Sequence, residues 1–256
     1  MFKSHIIRIS KNRISMLAFL LILFIPFIEI IQLLTYQQNS AEVYHPAFAF
    51  FLSGSSIGHA PQILLFWFLP IFLLLLGADD AIQDRQTGYR NILISKVGRK
   101  RYFSEKLTTS FILSAGAMGA SLLLNFLLTA IIFAGGTFSK GLLDINDSGN
   151  TLFELSIGHP YAAIACFAVL VCIIAGLIGM VGASASLFFG DKKYAYTAAF
   201  FIWFLLVLKK NSIMFLFQPF AEYGFHVLIP ILMLAVFVFV TIPLLVYVYG
   251  VKFNED

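Results

Sequence analysis

The chain has 256 residues, 60% apolar and only 12% charged, with a mean hydropathy of +0.90. That excludes an ordinary soluble globule, whose apolar share is about 45–50%. The formal charge of +4 does not indicate nucleic-acid binding, because the basic residues sit in a few segments between apolar blocks. Each block approaches the ~20 residues a helix needs to cross hydrocarbon, so an all-α polytopic membrane protein is expected.

Residues 1–13 carry Lys3, Arg8, Lys11 and Arg13 among Phe2, Ile6, Ile7 and Ile9, the pattern of an amphipathic helix lying in the membrane interface. A first span is expected over 14–36, too long for the apolar core of a cleavable signal peptide. It contains Glu29, the one acidic residue within the expected spans. A carboxylate there is costly, and both a place on a substrate path and a hydrogen-bonded structural role are open. Residues 37–61 lack Lys and Arg and suit an outer loop. The second span, 62–78, has Pro70 near its middle, which predicts a kink.

The third span, 107–133, holds Gly116, Gly119 and Asn125. For Asn125, interhelix hydrogen bonding and a place on a substrate path are again the two readings. Residues 135–160, with Asn146-Asp147-Ser148-Gly149, form a second outer loop. The fourth span, 161–189, carries Gly176, Gly179 and Gly182. Small residues let helix backbones approach closely, so the third and fourth spans are expected to meet through these five glycines.

After the turn Gly190-Asp191-Lys192-Lys193 comes a short fifth apolar run, 194–208. Brief apolar pieces at 213–217 and 220–225 suit a partly buried re-entrant hairpin before a sixth span, 227–249. With the N-terminus inside, six spans put fourteen of the seventeen Lys and Arg on the inner side and leave Lys140, Lys209 and Lys210 outside. The positive-inside rule then places both termini in the cytoplasm. A re-entrant fifth run would instead put the C-terminus outside.

Chemistry in cis is sparse. There is no P-loop ending in Gly-Lys-Ser/Thr to cradle ATP phosphates, and no His-Glu-x-x-His. His45, His59, His159 and His226 match no metal-ligand spacing. Cys166 and Cys172 lie six residues apart in one apolar block and turn to different helix faces, so neither a disulfide nor a metal pair is expected.

Segment 79–106 holds seven of the seventeen Lys and Arg: Arg85, Arg90, Lys96, Arg99, Lys100, Arg101 and Lys106. Within it, 89–97 suits a short helix with Tyr89, Ile92 and Leu93 on one face. Such a face needs lipid or a soluble partner to cover it.

Asp84-Arg85-Gln86-Thr87-Gly88, Ile92-Leu93, Val97-Gly98-Arg99-Lys100-Arg101-Tyr102 and Glu105-Lys106-Leu107 together resemble the ABC-2 permease family, as does the span layout. Single-domain permeases of lantibiotic immunity and peptide export are similar in length. The resemblance implies an exporter subunit for a peptide or lipid-like amphipathic substrate, with no cofactor of its own. Asp84, Thr87, Gly88, Tyr89, Ile92, Leu93, Val97 and Arg99 would form a coupling element seated on a cytoplasmic ATPase subunit that binds ATP and Mg. A second permease copy or paralogue would complete the assembly. The contrasting reading is a non-transporting membrane sensor or scaffold whose basic loop recruits a partner or anionic lipid.

Overall fold

A computed structural model describes residues 7–8, 11–40, 42–139, 142, 150–220 and 223–252. Its helices are α1 (Arg13–Ser40), α2 (Ala60–Trp67), α3 (Leu69–Leu73), α4 (Asp80–Gln86), α5 (Tyr89–Val97), α6 (Arg99–Ile132), α7 (Thr151–Gly158), α8 (Pro160–Phe188), α9 (Lys192–Leu208) and α10 (Phe225–Lys252). A π-helical turn, Leu74–Ala78, extends α3. No strand occurs among the described residues, apart from an isolated bridge between Tyr44 and Phe138. Four helices, α1, α6, α8 and α10, are long and apolar enough to cross a membrane, and the α2–α3 pair can count as a fifth although bent by 55°. At 17 residues α9 is shorter. Among the described residues the chain is all-α, with several helices long and apolar enough to cross a membrane.

Two prolines explain how the bundle is pinned. A proline inside a helix removes its own N–H and frees the carbonyl four residues earlier. Pro70 follows the break at Phe68, as its position predicts, and the freed Phe66 carbonyl accepts the Trp203 indole N–H at 2.9 Å. Pro26 lies inside α1, and the Ile22 carbonyl accepts the Ser121 hydroxyl of α6 at 2.7 Å. One turn further along α6, Asn125 Nδ2 donates to the Pro26 carbonyl at 3.2 Å. In both places the backbone group that proline orphans is satisfied from another helix, as low-dielectric surroundings demand.

Of the long helices, α8 is the most buried, and its small residues meet two neighbours rather than one. A Cβ on Gly176 would lie 2.6 Å from Phe111, and one on Gly179 would lie 2.7 Å from Ser114 Cβ, so both abut α6 as expected. Gly182 instead faces Leu74 and Ala78, at 3.2 and 3.3 Å. On α6, Gly119 is only in ordinary contact with Cys172, at 3.5 Å, and Gly116 is exposed with open space beside it. The reason is register. The inward stripe of α6 runs through Ser110, Ser114, Ala117, Ser121 and Asn125, spaced by three and four, and Gly116 falls outside it.

The 37–61 stretch also departs from expectation. Pro46–Ala49 and Phe51–Ser53 form short helical turns whose apolar side chains are buried in the bundle rather than lying in an outer loop. Ile213–Phe217 is likewise packed inside, with Phe217 against Phe66 at 4.6 Å between ring centroids. The interfacial helix expected over 1–13, the turn at 146–149 and the tail beyond residue 252 fall wholly or mostly outside the described residues.

Candidate coupling site at the basic end

Arg8, α4, α5 and the first turns of α6 and α9 converge at one end of the bundle, and Gly250 of α10 backs onto Phe103 there. Gly88, at φ +71°, joins α4 to α5, and Gly98, at φ +82°, joins α5 to α6. Both adopt the positive-φ backbone that glycine tolerates without a Cβ penalty, so α5 is held between two sharp turns.

The inward side of α5 is made by Leu93, Ile94 and Val97, packed with Ile82, Tyr102, Phe103 and Leu107. Leu93 is only 8% exposed, whereas Tyr89 and Ile92 are 42% and 51% exposed. The face expected for Tyr89, Ile92 and Leu93 together is therefore divided. Leu93 and Val97, one turn apart, anchor the helix, and Tyr89 and Ile92 flank that stripe on the outside.

Beneath α5 lies a buried ionic cluster. Asp84 is fully buried, and its Oδ1 receives Arg8 Nη1 at 2.7 Å. Its Oδ2 lies 2.6 Å from Lys106 Nζ and accepts the Tyr102 hydroxyl at 3.2 Å. Asp80 pairs with the same two cations. Asp79 pairs with Lys192 at 2.7 Å and accepts the Tyr196 hydroxyl at 3.1 Å, which brings in α9. Burial alone would raise the Asp84 carboxyl, but the Lys106 and Arg8 charges and hydrogen bonds outweigh it and hold Asp84 below its ordinary value.

Asp84 is thus an internal anchor and presents nothing to a partner. Thr87 donates to the Gln83 carbonyl at 2.8 Å and closes α4. Arg99 lines a pocket beside α5 together with Arg85 and Arg90. The sequence reading did not single out Asp79, Asp80, Tyr102, Lys106, Lys192 and Tyr196 as a cluster. The available signal was three carboxylates closing the second apolar run opposite a lysine opening the third.

Glu29 and Asn125 lie elsewhere, and both hold the inserted turns. Glu29, fully buried, accepts the Ser56 backbone N–H at 3.2 Å, and Asn125 Oδ1 accepts that of Phe51 at 3.0 Å. A separate apolar groove of about 540 Å³ opens between α6 and α8, lined by Phe50, Phe111, Gly119, Phe126, Tyr161 and Cys172. Neither Glu29 nor Asn125 lines it.

A Bacillus subtilis (strain 168) protein carrying the name "Uncharacterized protein YybM" is similar to this chain. The two are 53% identical over 254 residues, covering 99% of the chain and 100% of that protein. No protein-family model matches the chain, and no solved structure matches it.

Proposed function

We propose that this chain, which belongs to the family of Bacillus subtilis YybM, is the membrane permease subunit of an ATP-driven exporter of the ABC-2 kind. The observation that carries this reading is α5. It is a short helix stopped at both ends by positive-φ glycines, rooted by Leu93 and Val97, with Tyr89 and Ile92 left facing outward. Such a helix can transmit force, because its anchoring residues also touch the first turns of α6 through Tyr102, Phe103 and Leu107.

In this reading a cytoplasmic ATPase subunit binds ATP and Mg and covers Tyr89 and Ile92. The Asp84–Lys106 cluster passes its movement to α6 and, through Asp79, to α9. A rigid element biased between two arrangements by nucleotide suffices for that coupling. The α2–α3 pair and α9 complete six crossings of the cell membrane, with both termini and the basic end cytoplasmic. A second copy or a paralogue supplies the other half of the pathway. The apolar groove between α6 and α8 supports a peptide or lipid-like amphipathic substrate. Copurification of a P-loop ATPase with the full-length chain, and its loss on Ile92→Asp, tests this reading.

A further inference from the structure

Beside α5 lies a pocket of about 500 Å³ lined by Arg85, Gly88, Arg90, Asn91, Ile94, Ser95 and Arg99. Three guanidinium groups share it, and no acidic side chain lines it among the described residues. Arg90 is half-buried, with its Cζ 5.9 Å from the centroid of the Phe103 ring, and Arg85 lies against Gly190. Burial, together with the neighbouring Arg85 and Arg99 charges, pulls the Arg90 guanidinium below its usual value, although Tyr102 opposes this. Like charges gathered in one concavity make an anion site, and guanidinium forks match phosphate oxygens two at a time.

Depth along the molecule narrows the ligand. Phe103 precedes Leu107, where the third apolar stretch begins, by four residues, or about 6 Å at 1.5 Å per residue. The headgroup layer on each side of a bilayer is about 5–7 Å thick. With the membrane boundary taken at Leu107, Arg90, seated over Phe103, falls at the level of lipid phosphates. Ile94 gives the pocket an apolar wall and Asn91 and Ser95 give it polar ones, a combination that suits a glycerol-phosphate headgroup better than a small free anion. The basic run 99–101 divides around α6. Arg99 lines the pocket, while Arg101 lies outside it and is exposed.

We propose that Arg85, Arg90 and Arg99 form a site for the phosphate of an anionic phospholipid headgroup. The inference rests on the membrane placement of the chain and not on transport. At ~100° per residue, Arg90, Asn91, Ile94 and Ser95 occupy the side of α5 opposite Tyr89 and Ile92. Lipid and ATPase thus take different faces of one helix, and the lipid steadies α5 from behind.

The test uses the full-length chain in phosphatidylcholine nanodiscs with and without phosphatidylglycerol, reading the affinity for a fluorescent phosphatidylglycerol. The variant R85Q/R90Q/R99Q is expected to bind roughly tenfold or more weakly, whereas K100Q/R101Q changes binding by less than about twofold. The variant R85K/R90K/R99K keeps the charge, loses the forks and is expected to fall between them, which decides the matter should the glutamine triple fail to fold. Wild-type affinity in either triple variant, or an equal loss in K100Q/R101Q, overturns the site. Displacement of the lipid from the wild type by inorganic phosphate or oligoglutamate at equal concentration overturns the lipid assignment, in favour of a free anion or an acidic protein segment respectively. ATPase copurification with the glutamine triple is read separately, so failure of this site and failure of the transport reading are distinguishable.

Discussion

Lys106 Nζ lies 2.6 Å from Asp84 Oδ2 inside the protein, with Lys106 only 5% exposed and Asp84 not exposed at all. The pair links the end of α4 to the first turns of α6. Removing one member of a buried pair strands the other charge, at a cost of about 3–5 kcal/mol. Lys106→Met is therefore expected to destabilise the protein by that order, and Asp84→Asn added to it should recover part of the loss. Thermal unfolding in detergent checks this; equal stability of Lys106→Met and wild type would show that the cluster contributes nothing.

The same pair sets a pH dependence. The folded-state pKa of Asp84 is depressed, so its contribution is fully present above the unfolded value of about 4 and is lost as pH falls through the lower folded value. Unfolding temperatures measured from neutral to acid pH should fall in the wild type as Asp84 is protonated, and Asp84→Asn should flatten that limb.

Glycines at similar-looking positions are expected to differ sharply. Gly179→Leu drives a side chain into Ser114 and the Ser110 carbonyl, whereas Gly116→Leu enters open space. Overpacking of this kind costs about 1–3 kcal/mol or more. Yield and unfolding temperature should fall for Gly179→Leu and hold for Gly116→Leu; the opposite order would mean that α6 and α8 meet in another register.

Pro70 has no N–H to return to the Phe66 carbonyl, and Trp203 donates to it instead. Trp203→Phe should cost about 1 kcal/mol for the lost hydrogen bond, since the Phe68 N–H still reaches that carbonyl. In a Pro70→Ala background the backbone N–H restored at that position can return to the carbonyl, so the same substitution should cost less. A double-mutant cycle measures the difference, and strict additivity would show the bond to be incidental.

The helices were largely legible in the sequence because uninterrupted apolar length is a local property. The spans expected at 14–36, 161–189 and 227–249 fall within α1, α8 and α10 to within about a residue, well inside the spread of helix-boundary assignments. Pro70 likewise signals its break by itself. What a single chain position cannot show is its partner. The insertion of 46–56 depends on Asn125 and Glu29 offering acceptors from distant helices, and the ionic cluster depends on Asp84 meeting Arg8 across 76 residues. For α5 the spacing put Tyr89, Ile92 and Leu93 on one face, but the packed neighbours split them, turning Leu93 inward and leaving Tyr89 and Ile92 outside.

Copurification of the tagged full-length chain from its own membranes, with the bound ATP hydrolysis measured, tests the central claim most directly. The account predicts a P-loop ATPase recovered with the wild type and lost with Ile92→Asp, because an exposed apolar contact becomes a desolvated charge in the interface. That variant should fold and insert normally, since Ile92 is 51% exposed. Wild-type protein that carries no such ATPase, or Ile92→Asp protein that retains it with full hydrolysis, would contradict the assignment of α5 as the coupling helix.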